Sequence, residues 1–269
     1  ILYRKALNED RRYGEAYYRL GLTNLKLGNR NDAGRAFLRA FQLEPDNLAA
    51  FRHLAQLYLL ALTQPVVPRR EEVLADLIRH TEGAEQLHPG AFEVLYVKGQ
   101  IALYQNQPQQ AVPLLRRALA VNPWDANATL ALATALAAQN QVADVEKTLR
   151  QSLEHNKTQL ALYNFLYVVY AKQGRTAEAE AVLKDACENN PDEWAAWINL
   201  ANHYRNAGKS TEIKAVLDRL LNDPERFPNA PEQVGDFYLR GGQIRLHDSI
   251  AVLSFPLRFS LHAFPVVLD

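Results

Sequence analysis

Apolar residues recur at steps of three and four residues through most of the chain, in stretches of helical length. In residues 14–47, one stretch presents two bulky positions and then a small one, and the next stretch presents small, bulky and small positions. These positions are Tyr17, Leu20, Gly21 and Asn24 in the first stretch and Ala33, Phe37 and Ala40 in the second. The pattern predicts pairs of amphipathic helices and therefore an all-α fold.

Prolines mark a regular spacing of these pairs. Pro45, Pro89, Pro123 and Pro191 are 44, 34 and 68 residues apart, so two of the three intervals are one or two periods of 34 residues. A period in this range is typical of a repeat architecture, in which each unit packs on its neighbours. The predicted units are 14–47, 48–91, 92–125, 126–159, 160–193 and 194–227, preceded by the second helix of a truncated repeat at 1–13 and followed by a partial repeat helix at 228–242 and an atypical apolar tail at 243–269.

The predicted joints between helices support this division. A tight turn between antiparallel helices usually needs a left-handed residue, and glycine and asparagine tolerate that conformation best. The fifteenth position of five units carries such a residue: Gly28, Asn106, Asn140, Gly174 and Gly208. After the second helix of a unit, an aspartate is expected to cap the next helix, and the candidates are Asp46, Asp125 and Asp192.

Some segments depart from the pattern. The unit at 48–91 needs about ten additional residues, which we expect in an inserted loop near 63–70. Lys98 stands where a leucine recurs, and Tyr167 stands where a small residue recurs. The tail contains several phenylalanines and prolines and suits neither an amphipathic helix nor a polar cap. It is interpreted either as a non-native or frame-shifted tail or as an apolar cover for the last repeat, and in both cases it is a candidate adhesive surface.

Two units carry many of the recurring residues. Residues 160–193 supply Tyr163, Leu166, Tyr170, Ala179, Leu183, Ala186 and Pro191, and residues 194–227 supply Trp197, Leu200, Ala201 and Tyr204. In these residues the chain resembles the tetratricopeptide repeat (TPR) family, over nearly all of residues 1–240. The resemblance implies a right-handed α-solenoid of antiparallel helix pairs, a TPR superhelix. Because the chain begins at Ile1 and contains no methionine, we expect a fragment of a longer bacterial-type TPR protein.

Composition narrows the classes of function. Of 269 residues, 48% are apolar and 22% are charged, which is typical of a folded protein. The 30 basic and 30 acidic residues balance, so the basic surface of a nucleic-acid-binding protein is not indicated. No stretch approaches the roughly 20 apolar residues of a transmembrane helix. The single cysteine, Cys187, excludes an internal disulfide framework, and a soluble protein of either the cytoplasm or the periplasm fits the sequence.

No group of residues predicts catalysis. The seven histidines lie apart and form no HExxH pair, so no metal site is predicted. Cys187 has no histidine nearby in sequence and is interpreted as a packing residue. Glycine-rich phosphate-binding motifs and the GxSxG nucleophile motif are absent from the sequence. We therefore expect a chain that is not an enzyme and that holds no cofactor.

The resemblance implies a ligand-binding groove, because the first helices of TPR pairs line the concave face of the superhelix. The family's ligand-facing positions, carried onto this sequence, are Tyr18, Leu22, Lys26, Arg52, Gln56, Tyr96, Gln100, Tyr104, Asn127, Asn164, Lys172, Asn202 and Arg205. Asparagine and glutamine can hold the main chain of an extended peptide, and tyrosine offers a large contact area at low entropic cost. The alternative interpretation is a solvated face that merely requires polar residues.

Two known TPR specialisations do not fit this set. The carboxylate clamp needs a run of lysine, asparagine and arginine that is missing, and the asparagine ladder is represented by Asn199 alone. We expect a non-catalytic protein–protein interaction scaffold that binds a protein or an extended peptide in the groove. Two alternatives stay open: the substrate-recruiting arm of a larger enzyme such as a glycosyltransferase, and an assembly factor of a bacterial envelope or secretion complex. Self-association through the repeat ends or the apolar tail is a further hypothesis.

Overall fold

The computed structural model describes residues 3, 9–65 and 69–240, and within them the chain forms thirteen α-helices and no β-strand. The helices are α1 (Gly14–Lys26), α2 (Arg30–Leu43), α3 (Leu48–Leu62), α4 (Arg70–Leu87), α5 (Phe92–Tyr104), α6 (Pro108–Val121), α7 (Ala126–Ala138), α8 (Val142–His155), α9 (Leu160–Lys172), α10 (Thr176–Asn189), α11 (Trp194–Asn206), α12 (Ser210–Leu221) and α13 (Ala230–Arg240). The predicted all-α class is confirmed. Most of the helix predicted at 1–13, the end of the partial helix predicted at 228–242 and the whole apolar tail predicted at 243–269 lie outside the described residues.

The helices form two compact units. Unit 1 is Ile1–Gln139 and contains α1 to α7, and unit 2 is Asn140–Asp269 and contains α8 to α13. Within each unit every helix packs on the next one along the chain. In unit 1, α3 also packs on α5, and α5 packs on α7, so that the first helices of successive pairs are neighbours.

Short turns with one left-handed residue follow the first helix of five pairs. Three residues separate the helices in five turns, and the middle residue of each has a positive φ. The φ angles are 76° for Gly28, 56° for Asn106, 56° for Asn140, 70° for Gly174 and 69° for Gly208. The prediction made from glycine and asparagine at this position is confirmed.

The predicted caps of the first helices are correct at one joint and wrong by one residue at two. The carboxylate of Asp125 accepts the backbone N–H of Ala128 at 2.8 Å and caps α7. At the start of α3 the capping side chain is Asn47 rather than Asp46, and at the start of α11 it is Glu193 rather than Asp192. The helix begins one residue later at these two joints, so the cap is the next polar residue along the chain.

Small residues allow two of the pairs to pack at close range. A Cβ atom added to Gly21 would lie 2.5 Å from Cε1 of Phe37, and one added to Gly99 would lie 2.6 Å from Cδ2 of Leu115. Phe37 and Leu115 are fully buried. Glycine at these positions therefore lets a large side chain of the following helix lie against the helix backbone.

Some of the additional residues expected near 63–70 lengthen the helices on either side. Helix α3 ends at Leu62 and α4 begins at Arg70, and residues 66–68 between them lie outside the described residues. Helix α3 has 15 residues against 13 in α1, and α4 has 18 against 14 in α2. The guanidinium of Arg70 donates to the carbonyl oxygens of Leu62 at 3.0 Å and Gln64 at 2.9 Å, and these bonds link the start of α4 to the end of α3.

The two residues that break the recurring pattern are accommodated at the edge of the core. The ammonium group of Lys98 donates to the carboxylate of Glu85 at 2.6 Å, so its charge stays at the surface. The ring of Tyr167 is half-buried and meets the ring of His203 edge-on, with 5.8 Å between centroids. Neither residue interrupts its helix.

Candidate functional site

The predicted ligand-facing residues fall into two sets, one in each unit. We call the first the unit 1 lining: Tyr18, Leu22, Lys26, Arg52, Gln56, Tyr96, Gln100, Tyr104 and Asn127. We call the second the unit 2 lining: Asn164, Lys172, Asn202 and Arg205. The first set lies on α1, α3, α5 and α7, and the second lies on α9 and α11. Lys26, Asn127 and Lys172 are exposed, Tyr96 is buried, and the other members are half-buried.

Arg52 in the unit 1 lining is held by residues of the same unit. Its Nη2 atom lies 2.7 Å from Oδ2 of Asp125, and the side chains of the pair are 22% and 10% exposed. The guanidinium also lies 5.1 Å from the ring centroid of Phe92 and 5.3 Å from that of Tyr96. Because Asp125 also caps α7, one carboxylate connects the start of that helix to α3. A poorly hydrated, charge-assisted pair of this kind is stronger than a surface ion pair, so Arg52 is a structural cation.

Tyr96 is the predicted lining residue that is least accessible, with 5% of its surface exposed. Its hydroxyl oxygen accepts a hydrogen bond from Nε2 of Gln100 at 2.8 Å. Burial raises the pKa of the Tyr96 phenol, and the bond from Gln100 opposes that shift. The ring of Tyr96 therefore belongs to the packing between α3 and α5, whereas the half-buried amide of Gln100 lies at the surface of the unit 1 lining.

His53 lies beneath the unit 1 lining, although it was not predicted as a site residue. Its ring stacks on Phe37 with 5.0 Å between centroids, and it lies 6.0 Å from the ring of Tyr18. Burial and the charge of Arg52 lower the pKa of His53, and a hydrogen bond with Gln56 raises it. The neutral imidazole thus supports two lining residues, Tyr18 on α1 and Gln56 on α3.

The unit 2 lining combines amides with one fixed cation. Nδ2 of Asn199 donates to Oδ1 of Asn164 at 2.9 Å, which connects α11 to α9. The guanidinium of Arg205 donates to the carbonyl oxygen of Phe237 at 2.8 Å, lies 4.1 Å from the centroid of that ring and bonds to the amide oxygen of Asn202. Asn164, Asn202 and Arg205 are therefore held in place, and each remains half-buried.

Three partners of the lining were not predicted as site residues. Asp125 was expected only as a helix cap, and His53 was interpreted as an isolated histidine. Asn199 was noted only for its match to one ladder position. The common signal that could have identified them is their place on the first helix of a pair, or directly before it, beside a predicted lining residue. Periodicity assigns that place without saying which side chains bond to each other.

The described residues show no group of three or more histidine, cysteine or carboxylate side chains that could hold a metal ion. Cys187 is buried, and burial raises the pKa of its thiol to about 12, so the reactive thiolate is disfavoured. In the same part of the chain, no helix has both the length and the apolar composition needed to cross a membrane.

Comparisons with known proteins identify repeats in both units. Family models described as tetratricopeptide repeat match residues 14–47, 102–166 and 160–203. A comparison of the sequence with curated proteins found no match.

Solved structures share the fold at low sequence identity. A thermophilic TPR protein of Thermus thermophilus is 22% identical with a TM-score of 0.56, covering 71% of this chain and 98% of that chain. The type IV pilus biogenesis factor PilW is 16% identical with a TM-score of 0.59, covering 80% and 97%. PilF of Pseudomonas aeruginosa is 15% identical with a TM-score of 0.56, covering 83% and 97%. At these identities the likeness is evidence of the fold.

Proposed function

Because the chain belongs to the tetratricopeptide repeat family, we propose that it is a protein–protein interaction scaffold that binds a protein or an extended peptide through its unit 1 and unit 2 linings. The proposal makes the chain a binding protein without a reaction of its own. Its partner contacts would be supplied by the first helices of the pairs, which are neighbours within unit 1.

The observation that carries the proposal is the amide pair of unit 2. The bond between Asn199 and Asn164 uses one polar atom of each side chain. The second hydrogen-bonding group of each amide, a donor on Asn164 and an acceptor on Asn199, can pair with the C=O and N–H groups of a peptide main chain. Because the two side chains are already ordered, less side-chain conformational entropy would be lost when a ligand binds to them.

Charge supports a main-chain ligand over an acidic one. Arg52 is paired with Asp125, and Arg205 donates to the carbonyl of Phe237. An acidic side chain of a partner would have to replace these contacts, and replacing a desolvated ion pair is costly. Half-buried tyrosine and glutamine side chains, Tyr104 and Gln56 among them, offer neutral contact area instead.

The proposal is tested by capture from a lysate of the source cells. The binding variant carries Gln56→Ala, Tyr104→Ala, Asn164→Ala and Asn202→Ala, which changes both linings and spares the paired arginines. We expect at least one protein that the native chain captures to be lost with this variant. Circular dichroism should show the same helix content for the two chains, because none of the four side chains is fully buried.

A matched control carries Gln86→Ala, Gln110→Ala and Gln151→Ala, which replace exposed amides on the second helices α4, α6 and α8. The control should capture the same proteins as the native chain. The proposal fails if the binding variant retains every partner that the native chain captures, or if the control loses the same partners as the binding variant.

A further inference from the structure

Unit 2 contains two polar networks that repeat the same positions 34 residues apart. In the first, the carboxylate of Glu146 on α8 accepts from the hydroxyl of Tyr170 at 2.5 Å and from the guanidinium of Arg175 at 2.8 Å, and Arg150 lies 3.3 Å away. Tyr170 is on α9, and Arg175 directly precedes α10. One carboxylate therefore connects a second helix to the pair that follows it.

The second network has the same plan. The carboxylate of Glu180 on α10 accepts from Lys209 at 2.7 Å, from Lys184 at 2.8 Å and from the hydroxyl of Tyr204 at 3.3 Å. Tyr204 is on α11, and Lys209 directly precedes α12. Each of these four residues is 34 positions after its counterpart in the first network.

One buried residue distinguishes the two networks. His203 is 5% exposed and lies against the second network, where the first has Val169 at the equivalent position. Its Nε2 atom has no hydrogen-bond partner and lies 3.9 Å from Oε2 of Glu180. A buried nitrogen without a hydrogen-bond partner is unusual in a folded protein. Adding a proton to this nitrogen would therefore change the stability of the folded state strongly.

Burial and two nearby lysines oppose a positive charge on His203, whereas the carboxylate of Glu180 favours one. Glu180 and Lys184 act on it from α10, and Lys209 acts on it from the start of α12. The ring of Tyr167 on α9 meets it edge-on, and the ring of Tyr204 lies 5.8 Å away on its own helix. Because Glu180 already accepts from two lysines and a tyrosine, a protonated His203 would be a third cation at one carboxylate, without water to hydrate it.

We propose that His203 is a pH-responsive switch at the contact between α10 and α11, and that its protonation loosens this contact. The inference rests on the geometry of unit 2 and does not depend on the proposed function. Burial lowers the pKa of His203 below its ordinary value of 6.5. The charges of Lys184 and Lys209 also lower this pKa, and the charge of Glu180 raises it. Below pH 6.5 the unfolded chain binds this proton more readily than the folded chain, so the folded state loses stability as the pH falls.

The substitution His203→Val tests the proposal, because the chain itself carries valine at the equivalent position 169. The equilibrium constant for urea-induced unfolding is measured between pH 7.5 and pH 5.5 for the native chain and the variant. One proton changes that constant by at most about tenfold per pH unit. We expect the native chain to be destabilised more steeply than the variant as the pH falls below 6.5, by a difference that stays within that limit.

Two further measurements make the result independent of the variant's folding. Imidazole resonances of the native chain, with those of His203 assigned through bonds, give its pKa in the folded state, and we expect a value below 6.5. Hydrogen exchange at the amides of α11 should accelerate at low pH relative to α9, after correction for the intrinsic pH dependence. An imidazole pKa at or above 6.5, or parallel pH profiles for the native chain and His203→Val, would overturn the proposal.

Discussion

Replacing Gly99 by alanine tests the close packing of α5 on α6. A Cβ atom at this position would lie 2.6 Å from both Cδ2 and Cγ of Leu115, which is fully buried. Alanine in a helix interior is favoured over glycine by about 1 kcal/mol, and overpacking of a core costs about 1–3 kcal/mol. We therefore expect Gly99→Ala to lower the free energy of unfolding by roughly 0–2 kcal/mol, the difference of these two effects.

Gly83 in α4 supplies the matched control, because a Cβ atom there would meet nothing within 4 Å. Gly83→Ala should raise the free energy of unfolding by about 1 kcal/mol through helix propensity alone. The difference between the two variants then isolates the cost of overpacking, about 1–3 kcal/mol. Urea unfolding followed by circular dichroism measures both, with the slope of the transition checked for a change in cooperativity.

A double substitution makes the test specific to the pair. In the background Leu115→Ala, the Cγ and Cδ atoms that the added methyl group of Gly99→Ala would meet are removed, so this methyl group should stabilise the chain as Gly83→Ala does. The coupling between positions 99 and 115 is then about 1–3 kcal/mol. Equal stabilisation by Gly99→Ala and Gly83→Ala in the native background would refute the packing that the structure describes.

Other expected outcomes concern unit 2. Leu183→Ala removes a fully buried side chain and should lower the free energy of unfolding by about 2–5 kcal/mol. Leu239→Ala, at a residue that is 78% exposed, should change it by less than about 0.5 kcal/mol. An unchanged urea midpoint for Leu183→Ala would contradict the register of the repeats. Cys187 should react with a thiol reagent at pH 8 at least about 100-fold more slowly in the native chain than in urea, and similar rates would disprove its burial. The folded-state pKa values of Glu146 and Glu180 are lowered to about 2, mainly by their hydrogen bonds to Arg175 and Lys184. Their stabilisation is present above pH 4.5 and lost as the pH falls from about 4.5 to about 2, by about 1 kcal/mol each after solvent screening; Gln substitutions at both should flatten that part of the pH profile of stability.

The local geometry of the helix pairs could be predicted from the sequence because it depends on residues close together in the chain. A glycine or asparagine two residues before a helix start, as at Gly28 and Asn106, requires only a local left-handed conformation, and both adopt it. The capping residues were harder to place. Asn47 rather than Asp46 caps α3, because the helix begins at Leu48 and periodicity does not fix a helix start to the residue.

The candidate site was harder to predict because its side chains bond over long distances in the sequence. Arg52 and Asp125 are 73 residues apart, and only the packing of α3, α5 and α7 brings them together. The period of the pattern placed Arg52 on the correct helix, but it could not show that Asp125 neutralises it. For the same reason the burial of Tyr96 was not evident, since periodicity assigns a position to a helix face and does not measure the space around it.

Both arginines of the linings bond to acceptors of their own unit, so they are poorly placed to select an acidic partner. If a partner were recognised mainly through its acidic groups, the two arginines of the linings would be expected to lie open to solvent, as the exposed Lys26 and Lys172 do. Arg52 and Arg205 instead stack on Phe92 and Phe237 and bond to acceptors of their own unit. Fixed in this way, they order the neighbouring amides, since Arg205 bonds to Asn202 and Arg52 lies beside Tyr96, which bonds to Gln100. We therefore expect partner affinity to depend weakly on ionic strength, because few mobile charges would be neutralised on binding, and a steep salt dependence would point to a different surface.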